Sequence, residues 1–196
     1  MTESSAVSVV VLVSGSGTLL QAILDNQGED YRVNLVVADQ DCPALARAES
    51  AGVDTKVVSL GEDRSTWNIR MRETVAAAAP DVVVSAGFMK ILGREFLDRF
   101  EGKLINTHPA LLPAFPGAHA VRDALAYGVK VTGTTVHFID EGVDTGKIIA
   151  QKAVTVLDGE SEDELHERIK QQERALIVDV LRRTHTNEEN GKVTFP

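Results

Sequence analysis

The chain has 196 residues, 43% hydrophobic and 25% charged, enough to bury a core that must be aliphatic because aromatics make up only 5%. A formal net charge of −9 argues against a nucleic-acid binder, which needs a basic face, yet leaves room for a local site for one phosphate. One cysteine, Cys42, closes no internal disulfide, no run approaches the ~20 apolar residues of a membrane span, and residues 1–6 lack the basic region of a secretion signal, so the cytoplasm is the expected compartment.

Residues 7–13 form an apolar run broken only by Ser8, with the length and β-branching of a buried parallel strand. Ser14-Gly15-Ser16-Gly17-Thr18 follows at once. Leu19, Leu20, Ile23 and Leu24 then recur at helical spacing to about residue 27. The pattern repeats: strand over 34–38, helix over 43–51, strand over 55–60, helix over 64–79 stopped by Pro80, strand over 81–85, helix over 91–100, and a strand entered at 103–106. Strands alternating with helices predict an α/β fold, a Rossmann-like, mostly parallel sheet with helices on both faces.

The second part changes character. Pro109, Pro113 and Pro116 mark a loop over 107–117, and a helix over 118–127 ends at Gly128. Strands over 130–138 and 147–156, joined by the turn-rich 140–146, predict an antiparallel pair at the sheet's edge. Ser161 with Glu164 forms a capping box. It opens a helix striped by Leu165, Ile169, Leu176, Ile177 and Val180 to about residue 183. The polar tail from Thr184 is expected to be loose.

A glycine turn between a strand and a helix offers backbone N–H groups at the helix's positive end, which suits an anion. Gly15 and Gly17 let a ligand approach the backbone, and Ser14, Ser16 and Thr18 add hydroxyls. Three readings stand beside one another: a tight turn, a monophosphate site and a dinucleotide site. Leu20 in place of a third glycine weighs against the last. A catalytic role for Cys42 is disfavoured by Asp41 beside it, since reactive thiols sit near positive charge.

Asn106-Thr107-His108 ends the fifth strand. Residues two apart share a face, so Asn106 and His108 are expected to project together beyond the carboxyl edge, where open α/β sheets bind ligands. An amide N–H₂ and an imidazolium N–H can both donate to the oxyanion of an acyl-transfer intermediate, and histidine can move the protons. The partner carboxylate is expected in 140–146, which holds Asp140, Glu141 and Asp144. His119 and His137 are candidates to line or support the site, and His166 and His185 read as surface residues. No His-x-x-x-His or paired-cysteine spacing occurs, so no metal site is expected.

The stretch Asn106-Thr107-His108-Pro109-Ala110-Leu111-Leu112-Pro113, its continuation to His119, and Val136-His137-Phe138-Ile139-Asp140 through Asp144 resemble the folate-dependent formyltransferases, in particular their purine-pathway branch. The likeness runs from Val9 to about Glu173. It implies a single domain over 1–196, with a phosphate- and ribonucleotide-binding half to about residue 100 and a catalytic, folate-binding half beyond. It implies Asn106, His108 and Asp144 as catalytic residues, and Gly15, Ser16, Gly17 and Thr18 with Glu173 as contacts to glycinamide ribonucleotide. It implies Arg64, Met89, Lys90, Ile91 and Leu92, with Asn106 and the Asp140-Glu141-Gly142-Val143-Asp144 loop, as contacts to a reduced folate. Taken alone, Met89, Ile91 and Leu92 read as core. 10-Formyltetrahydrofolate would be a co-substrate, with no tightly bound cofactor, and a homodimer is implied by the same likeness. The family's loop commonly reads Ser-Gly-Asn-Gly-Ser-Asn, and here two amide side chains are missing. Hydrolysis of the formyl folate, transfer to another phosphorylated amine, or a folate- or nucleotide-binding module are the alternatives.

Overall fold

A computed structural model describes residues 6–187 and 190–196. The chain runs β1 (Val7–Val13), α1 (Thr18–Asp25), β2 (Tyr31–Ala38), α2 (Pro43–Ser50), β3 (Asp54–Val57), α3 (Arg64–Ala77), β4 (Val82–Ser85), α4 (Arg94–Arg99) and β5 (Leu104–His108). It continues through α5 (Ala120–Tyr127), β6 (Val131–Phe138), β7 (Ile148–Thr155), α6 (Glu162–Arg183), β8 (His185–Thr186) and β9 (Val193–Thr194). Seven strands form one sheet in the order β3-β2-β1-β4-β5-β6-β7. β1 to β5 pair in parallel, and β6 and β7 pair antiparallel. The α/β class and the antiparallel edge pair are as the sequence predicts.

β1 shows why helices cover both faces. Val9, Val11 and Val13 pack with α1, α2 and α6, whereas Val10 and Leu12 pack with Trp67, Met71 and Val75 of α3 and with Phe96 and Phe100. Alternating side chains of one strand thus feed two apolar layers. Among the described residues, no helix is long and apolar enough to cross a membrane. Cys42 sits half-buried in extended backbone ahead of α2, packed against the core.

Three expectations are corrected. β2 begins at Tyr31, not residue 34: Tyr31 and Val33 are buried while Arg32 and Asn34 face solvent, and the Tyr31 hydroxyl donates to the Ile23 carbonyl at 2.8 Å. That alternation disguised the start. α4 begins at Arg94 rather than 91, because Gly93 caps it in extended backbone and donates its N–H to Asn68 Oδ1, which leaves Ile91 and Leu92 in a loop. The tail is not loose in its described part. β8 and β9 pair, Val193 is buried, and Phe195 meets Phe138 edge-on at 5.2 Å.

Candidate active site

Beyond the carboxyl ends of β1, β4 and β5 lies a cavity of about 750 Å³. Its floor is set by strand register. Antiparallel pairing of β5 with β6 places His137 directly opposite Asn106, and parallel pairing with β4 places Ser85 on the other side. Cross-strand partners have adjoining side chains, and Asn106 Nδ2 lies 3.5 Å from His137 Nε2. His137 is buried. Its Nδ1 is 2.8 Å from the Phe138 carbonyl, which only accepts, so Nδ1 carries the hydrogen. Burial holds its pKa below the usual histidine value, against the pull of the Phe138 carbonyl and Asp144. The ring is therefore neutral near pH 7, and its Nε2 lone pair faces the Asn106 amide N–H₂.

His108 is also buried, 4% exposed. Nε2 lies 2.8 Å from the Phe115 carbonyl and Nδ1 lies 3.3 Å from Asp144 Oδ2. Both neighbours are acceptors, so both contacts are filled only when both ring nitrogens carry hydrogen. Asp144 Oδ1 lies 3.6 Å from His137 Nε2, while Oδ2 accepts from the Gly117 N–H at 2.8 Å. Asp144 has φ 55, a left-handed conformation that aspartate tolerates better than most residues. Through it the 140–146 turn is fastened to the proline loop.

α6 supplies one wall. His166, Lys170, Glu173 and Arg174 all line the cavity. The Thr107 hydroxyl donates to Glu173 Oε1. Burial raises the Glu173 pKa above the usual carboxylate value, and the Thr107 bond and nearby His108 oppose that rise. The glycine loop, Gly15 to Thr18, and the exposed apolar side chains of Met89, Ile91 and Val143 line the cavity as well. Among the described residues, no group of three or more His, Cys, Asp and Glu side chains converges so as to hold a metal ion.

Residues 7–181 match the family model described as formyl transferase. The chain belongs to the formyl transferase family. It is 54% identical over 179 residues to the phosphoribosylglycinamide formyltransferase of Mycobacterium tuberculosis, covering 89% of this chain and 83% of that protein. It is 39% identical over 180 residues to the enzyme of the same name from Escherichia coli, covering 89% and 85%. The crystal structure of glycinamide ribonucleotide transformylase 1 from Symbiobacterium toebii superposes with a TM-score of 0.87 at 39% identity, over 97% of this chain and 94% of that one.

Within this formyl transferase, most residues singled out in the sequence meet at the cavity. Asn106, His108, Asp144, His137, Glu173, the loop from Gly15 to Thr18, Met89 to Leu92 and Asp140 to Val143 all line it. Met89 and Ile91 are 78% and 79% exposed, so of the three apolar residues only Leu92 is core. Lys90 Nζ stands 3.6 Å from the buried Asp39. Glu141 pairs with Arg94 at 3.5 Å, and Asp140 accepts from Gly142 N and Thr145 Oγ1 within its own turn. Arg64, expected at the folate, is exposed and does not line the cavity. It donates to the Ile91 carbonyl at 2.6 Å and lies over the Trp67 ring.

Two histidines are corrected. His119 is exposed at the start of α5 with Nδ1 3.3 Å from Arg122, and does not line the cavity, because the helix turns it to solvent. His166, read as a surface residue, faces the cavity with its pKa lowered by burial and by Lys170. Sequence reading also missed Thr107, Lys170 and Arg174. The signal was present: residues 166, 170, 173 and 174 fall on one face of α6, a polar stripe beside the apolar one.

Proposed function

We propose that the protein transfers the formyl group of 10-formyltetrahydrofolate to the amine of glycinamide ribonucleotide, a step of purine (IMP) biosynthesis. The observation that carries this reading is the set Asn106, His137 and His108, aligned by strand register, with Asp144 brought to the two histidines by the 140–146 turn, on the floor of one cavity that also contains a glycine loop. The amine nitrogen attacks the formyl carbon, and the carbonyl π pair moves to oxygen. Asn106 Nδ2–H donates to that oxyanion, and the His108 Nε2–H joins it by exchanging the Phe115 carbonyl for the substrate oxygen. Collapse re-forms the carbonyl and breaks the bond to N10. A proton leaves the attacking nitrogen and one is delivered to N10, with His108 as the carrier. Asp144 Oδ2 stands 3.3 Å from His108 Nδ1 and fixes the orientation of the ring.

His137 acts as a positioning residue. Its neutral ring accepts one Asn106 N–H, which fixes the amide so that the second N–H is available to substrate. The glycine loop, Lys170 and Glu173 hold the ribonucleotide. Met89, Lys90, Ile91, Leu92 and the 140–144 loop hold the folate, and Arg64 braces Ile91. In this reading the half before about residue 100 carries the phosphate site, and the remainder carries the chemistry. The folate is consumed as co-substrate, no cofactor stays bound, and the enzyme works in the cytoplasm as a homodimer.

The test is an absorbance assay of formyl loss from 10-formyltetrahydrofolate with and without glycinamide ribonucleotide. Turnover that requires the ribonucleotide and yields its formyl derivative supports the reading. Equal loss without it makes the protein a hydrolase, and loss with neither refutes the assignment.

A further inference from the structure

The loop Ser14-Gly15-Ser16-Gly17 has each of its first three carbonyls engaged from the α2 side. Gln40 Nε2 donates to the Ser14 carbonyl at 3.0 Å, the Ala44 N–H to the Gly15 carbonyl at 3.1 Å, and Arg47 Nε to the Ser16 carbonyl at 2.7 Å. In a planar trans peptide the C=O and the next N–H point in opposite directions. Three carbonyls drawn toward α2 therefore turn the N–H groups of Gly15, Ser16 and Gly17 away from it, to the side where Gly15, Ser16 and Gly17 line the cavity. Arg47 is itself held: Nη1 donates to Gln21 Oε1 at 3.1 Å, and Gln21 Nε2 donates to Asp25 Oδ1 at 2.7 Å. Arg47 is not among the residues lining the cavity.

We infer that Gln40, the first turn of α2 and Arg47 form a rack that presets three loop N–H groups for the acceptor's phosphate, with Arg47 as its main positioning residue. The inference rests on the proposed use of this loop as the phosphate site. Such preorganisation removes the cost of arranging the amides when the anion binds. Arg47 acts on the loop rather than on the reacting atoms.

The experiment measures formyl transfer to glycinamide ribonucleotide and to the same acceptor lacking its phosphate, for wild type, Arg47→Met and Gln40→Ala. Loss of a charge-assisted bond that orders the loop is expected to lower kcat/KM for the phosphorylated acceptor about tenfold in Arg47→Met. The effect falls on KM, with a smaller loss in Gln40→Ala. The dephosphorylated acceptor should be used as well as by wild type. An equal loss on both acceptors, or none on either, overturns the rack while leaving the phosphate site in place. A wild-type enzyme indifferent to the phosphate overturns the phosphate-site reading and the rack with it. Gln40 is exposed on the surface, so its variant keeps the test available if Arg47→Met does not fold.

Discussion

Replacing Gly17 by alanine should destabilise the protein, and the cost can be worked from the loop geometry. Gly17 has φ +72, and a Cβ placed there would stand 2.6 Å from Ala44 Cβ, 2.8 Å from Ala44 Cα and 3.2 Å from Arg47 Cδ. The left-handed backbone alone costs an L-residue about 1–2 kcal/mol. Forcing a methyl against helix backbone adds about 1–3 kcal/mol. The sum is about 2–5 kcal/mol, which for a chain of this length lowers Tm by on the order of 10 °C. Gly15→Ala is the internal control, since its Cβ would meet nothing within 4 Å, and its stability should change by less than about 0.5 kcal/mol. Adding Ala44→Gly to Gly17→Ala removes the closer contact but not the one to the α2 backbone, so rescue should be partial. Urea unfolding of the four proteins decides it. Equal stability of the Gly15 and Gly17 variants would refute the claim that the loop is pressed against α2.

The other outcomes are checked more briefly. His108→Ala should keep the fold and folate binding by titration while kcat falls by about 10² or more, and full activity would remove His108 from the mechanism. Thr107→Val should raise KM for the ribonucleotide by about tenfold with the folate KM unchanged, and Thr107→Ser, which retains the donor, should restore it. Glu173→Gln should stabilise the protein at neutral pH. The folded carboxyl keeps its proton to higher pH than the unfolded one, so the folded state binds more protons over that interval and wild-type stability falls as pH rises through it. The glutamine variant should lack that fall, and the two melting curves should converge at acid pH below the ordinary glutamate value. A Tm difference independent of pH would show that Glu173 acts through packing instead.

The sequence was most legible where one physical signal dominated. The apolar run of β1 coincides with its strand, and Pro43 and the Ser161–Glu164 box open α2 and α6 where the rules of helix starts place them. It was least legible where tertiary contacts choose between local alternatives. Tyr31 and Arg32 extend β2 because Tyr31 finds a partner on α1, and nothing local announces that. Ile91 read as helical because its loop role depends on Gly93 being caught by Asn68 from α3. The site divides in the same way. Asn106 and His108 share a strand and were visible as a pair. His137, an equal member of the floor, was only a candidate, because its place opposite Asn106 follows from a strand register set 31 residues away in sequence. His166 faces the cavity and His119, which caps α5, does not, since the placement of α6 and of the start of α5, not residue type, decides which side chains reach it.

The antiparallel pairing of β5 with β6 also bears on how this chain can vary in length. Asn106 and His137 are kept together by ladder bonds between strands, so the number of residues joining those strands carries no information about their alignment. The first part of the connection is not free, because Phe115 and Gly117 touch His108 and Asp144. Past Gly117, α5 packs Val121 against Leu165 and Ile169 of α6, whereas Tyr127 and Gly128 at its end are exposed. Insertions there, between α5 and β6, should be absorbed without shifting the floor of the cavity. One residue added inside β6 would instead turn the His137 side chain to the opposite face of the sheet.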